Sequence, residues 1–262
     1  MALRRKHINI DSSLLGVRAG NFPGWTSGIV AGHRTAISSV GSNLYPRSEG
    51  IDELFYPAAP TTISLASTSA NDVNLGLGAW AVRVSGLDEN YDKQSETVVL
   101  NGQTPVTLAN TYIRITHLTV VQAGTSGHNE GTIYIASSSD TFTAGVPVEP
   151  YLSIAPAWNF QQGGVITVPN AHQIIAVSFG VMSGDFSNID LTFEMRQNIG
   201  GFNYTPWVRM TQAQLAFSAL SIDVAGLAPF NPKSDVRFRL RRTIGSTTVN
   251  TLVLLNYAER VV

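Results

Sequence analysis

From residue 60 onward, apolar and polar positions alternate with period two. Successive side chains of an extended chain point to opposite sides, so this pattern marks half-buried strands. In Thr61–Ser67 the alternation puts Ile63 and Leu65 inward. In Ala79–Ser85 it puts Trp80, Val82 and Val84 on one face and Arg83 on the other. Glu96–Leu100 runs into Asn101-Gly102, the strongest short-range hairpin signal, with Thr104–Leu108 as the expected partner strand. A long strand is expected over Tyr112–Val121 and another over Gly131–Ala136. Further strands are expected at Val165–Val168 (stopped by Pro169-Asn170), Gln173–Val181, Ile189–Arg196, Asp235–Arg242 and Thr248–Tyr257. In Ile189–Arg196 the inward set is Ile189, Leu191, Phe193 and Met195. A weak helical period shows only at Ile51–Phe55 and Thr211–Ala219. Many short strands separated by turn chemistry predict an all-β fold of jelly-roll-type β-sandwich, as one sandwich or two stacked ones.

Residues 1–58 do not share this pattern. Gly16, Gly20, Gly24, Gly28, Gly32, Gly41 and Gly50 recur among Pro23, Pro46 and Pro57, and apolar residues have no clear period. The segment reads as an extended N-terminal arm that wraps the body or a neighbour, or equally as a loop-rich start of the domain itself. The body is expected over 59–262, with a sub-boundary near 140–165.

Composition narrows the function classes. Of 262 residues, 44% are hydrophobic and only 13% charged, against about 25% charged in ordinary soluble domains. A surface this poor in charge suits a protein that covers itself with neighbours, or a secreted β protein with a Ser/Thr/Asn surface. The net charge of −1 gives no global field for nucleic acid or membrane. With no cysteine there is no disulfide framework, thiolate metal site or cysteine nucleophile. The opening Met1–Asp11 is basic but lacks a following apolar run, so no secretory signal is expected, and no stretch is apolar enough to span a bilayer.

No chemistry-bearing motif survives inspection. His7, His33, His117, His128 and His172 show no metal-ligand spacing. Asp88, Asn90 and Asp92 mimic the start of an EF-hand loop, but Lys93 and Val99 stand where glycine and a bidentate glutamate are required. Asp88–Asp92 is therefore expected to be a polar turn between two strands. There is no G-x-S-x-G elbow and no phosphate-binding glycine loop. Trp80, Trp158 and Trp207 are expected in the core; an exposed aromatic residue at the loops would point to a sugar platform. Arg237, Arg239 and Arg241 alternate and so share one strand face, while Val236, Phe238 and Leu240 pack inside. With Arg4, Arg5 and Lys6 they are the candidate contact residues, for a subunit or an acidic partner; a solvated face is the bland reading of the three arginines. No catalytic, cofactor or metal residue is expected.

Three stretches carry a resemblance. They are Ser69-Ala70-Asn71-Asp72 with Gly76-Leu77-Gly78-Ala79-Trp80, then Glu96–Thr107 around Asn101-Gly102, then Ala123-Gly124-Thr125-Ser126-Gly127-His128-Asn129-Glu130-Gly131. Together they resemble a module of about 70 residues in virion structural proteins of marine tailed phages and some algal viruses. The resemblance implies a non-enzymatic particle component, a capsid or capsid/tail-associated protein made in the host cytoplasm. It would assemble as a homo-oligomer or with other virion proteins, with no cofactor, no membrane and no sequence-specific nucleic-acid contact. The alternative is a particle protein that binds a host receptor or glycan through loops such as Ala123–Glu130.

Overall fold

The computed structural model describes residues 24–34, 57–163, 165–183, 189–215, 219–223, 230–242 and 251–262. These residues form twenty strands and no helix. In chain order they are β1 (Trp25–Arg34), β2 (Thr61–Ser67), β3 (Ala79–Leu87), β4 (Lys93–Val99), β5 (Val106–Tyr112), β6 (Arg114–Ala123) and β7 (Ile133–Ser137). Next come β8 (Phe142–Thr143), β9 (Val146–Pro147), β10 (Leu152–Ile154), β11 (Phe160–Gln162), β12 (Val165–Thr167), β13 (His172–Ser183) and β14 (Ile189–Arg196). The chain closes with β15 (Asn198–Gly200), β16 (Asn203–Tyr204), β17 (Val208–Leu215), β18 (Ala219–Asp223), β19 (Asp235–Arg242) and β20 (Thr251–Val261). The expected all-β sandwich architecture is met.

Two four-stranded antiparallel sheets, β10-β7-β2-β5 and β11-β6-β3-β4, make a first sandwich. Ile63, Leu65, Leu108, Tyr112, Ile133, Ile135, Leu152 and Ile154 from one sheet meet Val82, Val84 and Leu118 from the other in a single buried cluster. Each fully buried aliphatic side chain there contributes about 1.5–3 kcal/mol. Two more four-stranded sheets follow, β1-β20-β13-β18 and β12-β19-β14-β17. The fully buried Phe193 of β14 packs on Phe230, ring centroids 5.7 Å apart, and Phe230 is bonded through its backbone to Ile174 of β13. Within the segment 1–58, β1 lies at a sheet edge, in register with β20 from Trp25↔Arg260 to Arg34↔Thr251.

Asp88–Asp92 is the expected polar turn. The Asp88 carboxylate accepts the N–H groups of Asn90 and Asp92, and β3 and β4 pair on either side of it. Asn101-Gly102 departs from expectation. β4 pairs with β3 and β5 with β2, so this turn carries the chain across from one sheet to the other instead of closing a two-stranded hairpin. The reason is burial: Leu100 and Leu108 both enter the core, which a crossing satisfies and a flat ladder would not. The expected strand Tyr112–Val121 is likewise split. Tyr112 ends β5 in one sheet, and Arg114 begins β6 in the other. Thr211–Leu215 is strand, not helix, because pairing with Ile189–Phe193 overrides a weak local period.

Candidate assembly surfaces

The loops at one end of the first sandwich are laced together by Asp72. Its fully buried carboxylate accepts from Ala79 N at 2.7 Å, Glu130 N at 2.9 Å, Gly131 N at 2.9 Å and Ser67 Oγ at 2.5 Å. A Cβ on Gly78 would lie 2.0 Å from Asp72 Oδ1, and one on Gly124 would lie 2.1 Å from Gly76 O, so the glycines of the resembling stretches are required by close packing. Backbone bonds add to the lacing: Gly124 N to Gly78 O at 2.7 Å and Ser126 N to Leu77 O at 3.0 Å. Asn159 Nδ2 donates to Gly127 O at 3.1 Å, which ties in the loop ahead of β11. On this braced tip Leu75 is 81% exposed, Leu77 53% and Trp158 50%. Trp158 is thus not a core residue, contrary to expectation. Leu75, Ala157 and Asn159 hold φ of 64°, 64° and 57°, a region that side chains other than glycine seldom adopt.

At the opposite end the first sandwich meets the strands that follow it. Asp235 of β19 is fully buried, and its Oδ2 accepts from Arg114 Nη2 of β6 at 3.0 Å and from Arg196 Nε of β14 at 2.8 Å. Thr167 Oγ1 donates to Oδ1 at 2.6 Å. Burial is the largest influence on the Arg114 charge and works against it, but Asp235, Tyr204 and Tyr91 together outweigh it and the guanidinium's pKa is raised. Cations and rings alternate outward from this pair. Arg114 lies 5.2 Å from the Tyr204 ring, and Arg196 sits 4.3 Å from Tyr204 and 4.7 Å from Trp207. The Arg237 guanidinium lies over the Trp207 ring, 3.7 Å from its centroid. Burial, then Asp235, raises the Tyr204 pKa, and its hydroxyl donates to Tyr91 at 2.7 Å. Nearby, Glu259 of β20 takes Lys93 Nζ at 2.8 Å and lies 2.7 Å from His172 Nδ1. A recess of about 340 Å³ opens at this junction, with Leu87, Val165, Ile174 and Pro169 among its walls and Ser95 and Gln94 beside them.

The sequence-derived contact residues distribute unevenly. Arg4, Arg5 and Lys6 lie outside the described residues. Arg237 turns back on its own chain, with Nη2 2.7 Å from Glu194 Oε2. Arg239 and Arg241 stand opposite Thr192 and Asp190 in the ladder, and their side chains lie outside those described. Val236 is buried as expected. His117 packs against Phe160, and burial followed by the nearby Arg83 lowers its pKa. Sequence reading missed the Arg114–Asp235–Arg196 centre, whose members are scattered along the chain. It also missed the exposed tip, although Asn71-Asp72 and the glycine clusters marked the loops that build it. Asp235 and Glu194 are each engaged by guanidinium groups, so neither is presented as an acid or base. Among the described residues no group of three or more His, Asp or Glu is placed to hold a metal, and no helix is long and apolar enough to cross a membrane.

No known protein family matches the chain, and no curated protein does. Among solved structures it is similar to a chain of the infectious bursal disease virus Gt strain, at 9% identity over 97% of this chain and 83% of that one, with a TM-score of 0.19. A chain from the Gx strain gives 10% identity over 90% and 75%, with a TM-score of 0.18. The VP2 subviral particle of the same virus gives 10% identity over 97% and 82%, with a TM-score of 0.11. Scores this low carry no argument about the fold or function of this chain.

Proposed function

We propose that this chain is a non-enzymatic structural component of a virus particle, in the shell or associated with shell and tail, that works by assembling with itself or with other particle proteins. The observation that carries this reading is the exposed apolar tip of Leu75, Leu77 and Trp158 on loops braced by a buried carboxylate, in a chain with only 13% charged residues. Clustered apolar side chains on a fixed scaffold gain free energy when a partner covers them. The outer face of the sheet β11-β6-β3-β4 adds exposed Phe160, Val121 and Val99. Arg4, Arg5, Lys6, Arg239 and Arg241 are further contact candidates, with any nucleic-acid contact confined to the phosphate backbone. The test is light scattering on the full chain across a concentration series. A mass rising to a discrete multiple of 28.1 kDa supports the reading. A monomer at every concentration removes self-assembly. The second reading, binding of a host receptor or glycan, is favoured by half-exposed Trp158 beside the 123–131 loop, and a glycan array tests it.

A further inference from the structure

We propose that the recess at the sandwich junction is a binding site for a sugar residue, held by hydrogen bonds on its floor and by the Phe160 ring at its side. The site stands whether or not the chain assembles, and it is separate from the tip that carries Trp158.

The floor is one row of side chains across the outer face of the sheet β11-β6-β3-β4. Gln162 is paired with His117, His117 with Ser85, and Ser85 with Ser95. Each of the four strands contributes one member, and all four residues line the recess. Side chains two apart on a strand share a face. Phe160, two residues before Gln162, therefore follows on the same face, opposite Thr119. It is 41% exposed, and its ring centroid lies 6.0 Å from that of His117. The far wall comes from the strands that follow the first sandwich, through Val165, Ile166, Thr167 and Ile174.

The hydrogen-bonding capacity of this floor follows atom by atom. Thr116 Oγ1 has a single proton and donates it to Ser85 O at 3.0 Å. Its 3.2 Å contact with His117 Nδ1 is therefore one in which Nδ1–H donates. Burial, then the neighbouring Arg83, lowers the His117 pKa, which favours the neutral ring. A neutral ring protonated at Nδ1 presents Nε2 as an acceptor. Among the described residues the Ser85 and Ser95 hydroxyls have no partner, and each can both donate and accept. Lys93, also in the lining, is held by Glu259 at 2.8 Å. The open groups of the row are thus uncharged: an imidazole acceptor and two hydroxyls.

A ligand that matches them carries several hydroxyls, each able to donate or accept, and an apolar C–H face for the exposed aromatic ring. A pyranose has both. A phosphate ester would find the lysine of the lining already paired, and an apolar ligand would strand the two hydroxyls. The recess, at about 340 Å³, lies at the low end of the ~300–1,000 Å³ of small-ligand sites, which suits a single sugar residue.

Saturation-transfer NMR titrations of the full chain test the site, with the methyl glycosides of glucose, galactose, mannose and N-acetylglucosamine as probes. Ser95→Trp fills the recess from an exposed position on the edge strand β4, and Phe160→Ala removes the ring. Trp158→Ala is the comparison at the tip. Circular dichroism and Tm establish that each variant is folded, and Ser95→Trp decides alone if Phe160→Ala is not. The expected result is binding of at least one glycoside, weakened about tenfold in both recess variants and unchanged in Trp158→Ala. Binding lost only in Trp158→Ala puts the sugar at the tip and overturns the assignment. Binding that survives Ser95→Trp overturns it as well, and so does a lack of transfer to every probe. None of these outcomes bears on the assembly reading, which light scattering decides separately.

Discussion

Replacing Asp235 with asparagine removes one negative charge from a site where two positive charges converge. Arg114 has a side chain only 5% exposed, and it cannot rehydrate when its partner is neutralised. Arg196, at 19%, recovers part of its hydration. Breaking a buried pair by neutralising one partner costs about 3–5 kcal/mol, and the Thr167 hydroxyl keeps an acceptor in asparagine. At roughly 2–4 °C per kcal/mol for a chain of this size, Asp235→Asn should lower Tm by about 6–20 °C. The assay is urea and thermal unfolding followed by tryptophan fluorescence, since the Trp207 ring lies within 4.7 Å of both the Arg196 and the Arg237 guanidinium. A double-mutant cycle with Arg114→Met isolates the pair, with a coupling of about 1–3 kcal/mol expected because the double variant no longer buries an uncompensated guanidinium at Arg114. A loss below about 1 kcal/mol, the range of exposed ion pairs, would refute the reasoning and mean that water enters the junction freely.

Asp72→Ala leaves three backbone N–H groups at the tip unmet, at about 1–3 kcal/mol each before water repairs some; a Tm within 2 °C of the parent would count against the clasp. The pKa of His117 is lowered in the fold by burial and then by Arg83. The unfolded chain therefore takes up this proton first. Stability linked to His117 is complete above the unfolded value of about 6.5 and falls as pH drops below it. Tm measured from pH 7.5 to 5 should fall less steeply in His117→Gln than in the parent, and identical slopes would sink this assignment.

Strand positions were legible wherever one face of a strand is buried. Ile63 and Leu65, or Val82 and Val84 against exposed Arg83, alternate because a single core selects them. Sheet membership was not legible. Asn101-Gly102 has hairpin chemistry, and Gly102 does adopt a φ of 58°, yet whether flanking strands pair or part is decided by Leu100 and Leu108 reaching the same core. The tip was half legible. Glycines mark where backbones approach, but nothing local distinguishes Trp158, exposed, from Trp80, partly buried. The junction was illegible, since Arg114 and Asp235 are separated by 121 residues and each looks alone like an ordinary strand charge.

The pairing of β1 with β20 sets a clock on the chain as it is made. Thr26 reaches the carbonyl of Glu259 across a separation of 233 residues. At ~5–20 residues per second, translation leaves β1 without its neighbour for roughly 10–50 s. The first sandwich, whose strands all lie within 61–162, can close during that wait. The recess cannot, because Glu259 and its strand β20 form part of its wall. A nascent chain can therefore close its first sandwich before the recess at the junction exists.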